Sequence, residues 1–142
     1  MRHSLSFILF ILISVTSNAH SEIIVTNAWA RIGCNSTVIY FDIQNHTNHD
    51  INIIGVSSDK ISKSVSIHNS YVDVKGISRT TNINKVLIPK NTKISFKPTG
   101  LHIVLNNIPR NIDVGDHFEI ILKFDDGIEK LFKVSILPIN QK

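Results

Sequence analysis

Apolar and polar residues alternate along most of this chain with a period of two, a pattern that predicts short β-strands. Thr37 to Ile43 is the plainest case, rich in β-branched and aromatic residues. Ile23 to Val25, Asn27 to Arg31, Ile51 to Val56, Val65 to His68, Val86 to Ile88, Lys93 to Phe96 and Leu101 to Leu105 read the same way. Tyr71 to Lys75 is expected to pair with Ile77 to Thr80 across Gly76. His117 to Phe124 and Ile128 to Ile136 form an expected hairpin through Asp125-Asp126-Gly127, because Asp-Gly suits the tight primed turns. Pro89 has no N–H for a ladder and marks a strand end. Asn45 to Asp50 (NHTNHD) is turn chemistry, since Asn and Asp bond their own backbone and tolerate left-handed angles. No segment sustains a 3.6 period, and there is no internal repeat or linker. Many short strands at regular spacing predict an all-β fold, an antiparallel Greek-key β-sandwich.

The first residues break the pattern. Met1-Arg2-His3 gives a short basic start, and Leu5 to Val15 is an apolar run of signal-peptide length, too short to span a bilayer. Small residues at Ser17 and Ala19 place cleavage after residue 19, while Ala19-His20-Ser21 also permits it after residue 21. The expected organisation is a signal peptide over 1–19 and one domain over 20–142, exported to the periplasm or the cell exterior.

Charge and cysteine content narrow the classes. The 142 residues carry a formal charge of +4, and removing Arg2 leaves 14 Lys/Arg against 11 Asp/Glu. The cations are scattered, without a dense block or interleaved aromatics, so nucleic-acid binding has little support. A single cysteine, Cys34, excludes an internal disulfide, so the fold rests on its core.

Two histidines stand out against this background. In Ser64 to His68, Val65 and Ile67 share one face and Ser66 and His68 the other. In Leu101 to Leu105, the odd positions face one way and His102 lies with Val104 on the other. A packing histidine belongs with Leu101 and Ile103. Two imidazoles on the solvent side of an exported β-protein point to metal instead. Trp29 and Tyr40 are expected as core anchors. His46 and His49 beside Asp50 read as a solvated turn and His117 as a surface residue. His20 supplies an amine-plus-imidazole chelate only if cleavage follows Ala19. No Ser/His/Asp arrangement or convincing carboxylate pair appears, so an enzyme is the weakest reading.

The order of features is more specific than the fold. Asn27-Ala28-Trp29-Ala30-Arg31, Tyr40 to Asn45, Gly55-Val56-Ser57-Ser58, Val65-Ser66-Ile67-His68, Pro98 to Leu105 and Val114-Gly115-Asp116 follow in turn. This resembles the PCu(A)C-type periplasmic copper chaperones over about Ile23 to Ile136. The resemblance implies a cupredoxin-like sandwich that carries Cu(I) for assembly of the copper centre of cytochrome c oxidase. It also implies a site of His, Met twelve positions on, His twenty-two further, and Met two beyond. Here that spacing falls on His68, Thr80, His102 and Val104. Both histidines are in register and both methionines are replaced. Met1 is the chain's single methionine, so no other thioether can substitute after export.

The donor change has a chemical consequence. Thioether sulfur is soft and favours Cu(I), whereas imidazole serves Cu, Zn or Ni. The expectation is therefore a two-histidine copper site, His68 with His102. Cu(I) would be the first cargo, with better tolerance of Cu(II) or Zn(II). Thr80 and Val104 are expected to line the site, and Cys34 is a possible further ligand. The expected partner is a copper acceptor, such as a cytochrome c oxidase subunit or another copper chaperone, with membrane contact only through that acceptor. The alternative is a non-metal interaction module that kept the fold and lost copper.

Overall fold

The computed structural model describes residues 22–58 and 60–140, and the expected signal peptide, its cleavage sites and His20 lie outside them. Ten strands follow in chain order: β1 (Ile23–Ile32), β2 (Ser36–Asn45), β3 (Ile51–Ser57), β4 (Ser64–Val72), β5 (Ser78–Ile83), β6 (Val86–Ile88), β7 (Lys93–Phe96), β8 (Leu101–Asn106), β9 (His117–Phe124) and β10 (Glu129–Ile136). They join in the order β5-β4-β8-β2-β1-β10-β9-β3-β6, with β7 also paired to β2. A sheet of that width curls under its own twist, and β3 returns against β4 to give a barrel-like sandwich. The all-β, cupredoxin-like expectation holds. One ladder departs from the antiparallel rule: β1 runs parallel to β10, with Trp29 opposite Ser135 and Ala30 opposite Ile136. Alternation assigns faces and is silent on the direction of a distant neighbour.

Burial follows the alternation closely. Along β2, Thr37, Ile39, Phe41, Ile43 and Asn45 point inward and the residues between them do not. Ile103 and Leu105 of β8, with Ile120 and Leu122 of β9, meet them in a core dominated by isoleucine. Phe41 stacks on Phe96 with ring centroids 4.2 Å apart and also meets Phe132. Burying each of these side chains is worth roughly 1.5–3 kcal/mol, which is how a chain without a disulfide is held together.

Two polar details shape the scaffold. Asn45 is fully buried, and its amide donates to the carbonyls of Ile88 and His49 while its oxygen accepts from Thr47. The NHTNHD turn is thus organised by one side chain that satisfies buried backbone, as an interior polar group must. In β1 the register shifts between Thr26 and Trp29, with Asn27 at φ 54°. This is a bulge placed on a residue type that tolerates the left-handed region. It merges into one strand what the sequence suggests as two.

The β4–β5 and β9–β10 hairpins form as expected, and both turns set glycine at positive φ, Gly76 at 78° and Gly127 at 86°. β4 runs on through Asn69 and Ser70 to Val72, because both of its edges are paired, to β5 and to β8. β2 changes neighbour along its length: Ser36 to Ile39 pair with β8, and Phe41 to Gln44 with β7. Tyr40 stands at that switch. Among the described residues no helix is long and apolar enough to cross a membrane.

Candidate metal centre

The β4–β8 ladder sets His68 directly opposite His102. Ile67 and Ile103 turn into the core on one side of the sheet, so both imidazoles emerge together on the other, half-buried. Their ring centroids are 5.8 Å apart with planes inclined at 30°. Thirty-four residues of sequence separation collapse to one rung.

Each ring is held by its own strand. His102 Nδ1 lies 2.8 Å from the Gly100 carbonyl, which can only accept. Nδ1 therefore carries the proton and Nε2 keeps a free lone pair, the same backbone-fixed tautomer that orients metal-binding imidazoles. The Gly100 carbonyl is itself fixed by accepting from the Ser70 amide at 3.0 Å. His68 Nε2 lies 2.8 Å from Ser66 Oγ. Burial, and after it the neighbouring His102, push the His68 pKa below its ordinary value. The ring is thus neutral at pH 7, the form that can donate a lone pair.

The flanking positions follow from register. Ser70 faces Thr80, two rungs beyond the His68–Asn82 rung of β4–β5. Ser66 faces Val104, two rungs to the other side of the histidines. Thr80 and Val104 therefore share the histidine face and bracket the pair from opposite directions. Thr80 Oγ1 is engaged with Ser70 Oγ at 2.8 Å. Val104 is half-buried and has no donor atom.

Cys34 is not brought to the pair. It is exposed, in the turn between β1 and β2. Ser36 pairs with Asn106 at that end of the β2–β8 ladder, and His102 is four residues further along. At about 3.3 Å per residue that is roughly 13 Å, far beyond the about 2.3 Å of a metal–thiolate bond. His46 and His49 are exposed on the NHTNHD turn, where His49 lies 3.7 Å from Asp126. Asp50 accepts from the Lys90 amide. Among the described residues no three His, Cys, Asp or Glu side chains converge as a metal cluster.

The structure adds a row the sequence pattern disguised. Trp29 and Tyr40, expected as core anchors, sit on the histidine face and outside the main core cluster. The Arg31 guanidinium lies over Trp29 at 5.0 Å. Trp29 meets Tyr40 at 4.5 Å, and Tyr40 is 6.3 Å from His102. Trp29 is buried because Arg31 and Tyr40 flank it, not because it points inward. The bulge at Asn27 resets the parity of β1, a shift no alternation count can see.

The pattern of the LpqE-like family matches residues 23–136. The chain belongs to the LpqE-like family, the PCu(A)C type. It is similar to the uncharacterised protein RP573 of Rickettsia prowazekii (strain Madrid E), 28% identical over 142 positions that cover 90% of this chain and 77% of that one. In three dimensions it resembles the apo PCuAC domain from PmoF1, with a TM-score of 0.67 at 22% identity over 82% of this chain and 94% of that one. The copper-bound PCuAC domain from PmoF2 gives 0.64 at 19% identity, over 81% and 92%. The Cu(I) form of DR1885 from Deinococcus radiodurans gives 0.61 at 19%, over 82% and 80%. At these identities the structural likeness speaks for the PCu(A)C-type fold. The donor set has to be judged on this chain's own residues: two imidazoles in one rung, flanked by a hydroxyl and an isopropyl group.

Proposed function

We propose that this chain is a copper carrier of the exported compartment, holding the ion as cargo between His68 and His102 and passing it to an acceptor protein. The observation that carries the proposal is the His68–His102 rung, with centroids 5.8 Å apart and the His102 Nε2 lone pair released by the Nδ1 bond to Gly100. Two imidazoles on a half-buried face fill only part of a copper coordination sphere. The open positions let the donors of an acceptor enter before the histidines leave, so transfer is a ligand exchange and no covalent bond of the protein changes. A cytochrome c oxidase subunit or another copper chaperone is the proposed acceptor, and the proposed address is the periplasm, reached through the signal peptide over 1–19. Copper, as Cu(I) with Cu(II) and Zn(II) tolerated, fits a nitrogen donor set of intermediate softness.

A second reading has its own support. Val104 offers no donor and the Thr80 hydroxyl is turned to Ser70, as in a family member that kept the partner surface and gave up copper. Titration of the reduced mature protein with Cu(I) against a competing chelator separates the two, run beside His68→Ala and His102→Ala. The carrier takes up about one copper and loses it with either substitution. Failure of the wild type to compete, with no change in the variants, leaves the interaction module standing.

A further inference from the structure

We infer that Ser66 sets the strength of copper binding, as a hydroxyl that occupies the lone pair of His68 and must be displaced when the ion enters. The inference rests on the proposed copper site and concerns a residue outside its two ligands.

The two histidines are restrained in opposite ways. His102 is bonded through Nδ1 to a backbone carbonyl, which leaves Nε2 free. His68 is bonded through Nε2 itself, at 2.8 Å from Ser66 Oγ. A hydroxyl can give or take a proton there. Among the described residues this is the one hydrogen bond the Ser66 hydroxyl makes. In the inferred arrangement the Ser66 O–H donates to Nε2 and His68 carries its own proton on Nδ1.

Nε2 is also the nitrogen each ring would offer an incoming ion. In His102, Nδ1 is bonded to Gly100, which leaves Nε2 as the donor for a metal, and the Ser66–Val104 rung lies on the side of His102 away from Gly100. In His68, Nε2 is turned toward that same rung by Ser66. Ser66 Oγ is thus the polar atom already bonded where an ion would meet His68. Val104, the cross-strand partner of Ser66, supplies none. Copper entry then exchanges one bond for another at a single atom: the Ser66 O–H···Nε2 bond opens and an Nε2–Cu bond forms. Return of the hydroxyl to Nε2 assists release to an acceptor.

The test is Ser66→Ala beside Ser66→Thr, which keeps the hydroxyl. The tautomer of His68 is read in the copper-free protein by long-range 1H–15N NMR, and affinity by Cu(I) titration against a chelator. The expected result is a wild-type His68 protonated on Nδ1. Ser66→Ala should raise Cu(I) affinity about fivefold, the ratio that about 1 kcal/mol of lost hydrogen bond gives, and Ser66→Thr should restore the wild-type value. A His68 protonated on Nε2, or an affinity that is unchanged or lower in Ser66→Ala while the wild type binds, overturns the role of Ser66 and leaves the two-histidine site intact. If the wild type binds no copper, the copper proposal falls and this inference with it.

Discussion

Asp42 offers a stability prediction that can be worked from its surroundings. On β2, two residues beyond Tyr40, its carboxylate accepts from Ser95 Oγ at 2.6 Å and from Asn27 Nδ2 at 2.9 Å, and Lys93 Nζ lies 2.9 Å away. These bonds, with Ser95 and Asn27 ahead of Lys93, hold its pKa at about 2, against an ordinary value near 3.9. The Asp42 side chain is 19% exposed and its bonds lie at the surface, so solvent screens part of the effect. At roughly 1.4 kcal/mol per pH unit the ionised form favours the folded state by about 2 kcal/mol. The folded pKa is the lower one, so this stability is complete above about pH 4 and is lost as the pH falls toward 2.

Asp42→Asn keeps the shape and removes the charge, turning an amide toward Asn27 and Lys93. Urea unfolding should find the variant about 2 kcal/mol less stable at pH 7, with the gap closing between pH 4 and pH 2. Because the leading bonds come from neutral donors, 0.5 M salt should leave most of the gap in place. A gap that stays constant across that pH range would refute the reasoning, since it would mean the loss came from packing and not from ionisation.

Phe41→Ala opens the ring stack with Phe96 and the contact with Phe132, and should cost about 3–5 kcal/mol in chemical denaturation; a loss under about 1 kcal/mol would show that the neighbours collapse into the space. Thr80→Met with Val104→Met places a thioether on each side of the histidine rung. Cu(I) affinity should rise on the order of tenfold, about 1.4 kcal/mol, with Zn(II) affinity unchanged. Equal gains for both metals would sink the softness argument.

The β-strand pattern, the two well-formed hairpins and the placement of His68 and His102 away from the core were legible in the sequence, because a strand's faces repeat every two residues and each face has one solvent. That periodicity is local, and so it survives without knowledge of neighbours. Tertiary structure decided everything that depends on which strands meet. It paired His68 with His102 in one rung, bracketed them with Thr80 and Val104, and kept Cys34 at the far end of the β2–β8 ladder. It turned β10 parallel to β1, and through the bulge at Asn27 brought Trp29 to the face of Tyr40 and the histidines. Register between distant strands is fixed by core packing and by bulges that shift parity by one residue. Single-strand alternation contains neither, so the sequence could name the candidate ligands while only the fold could set them side by side.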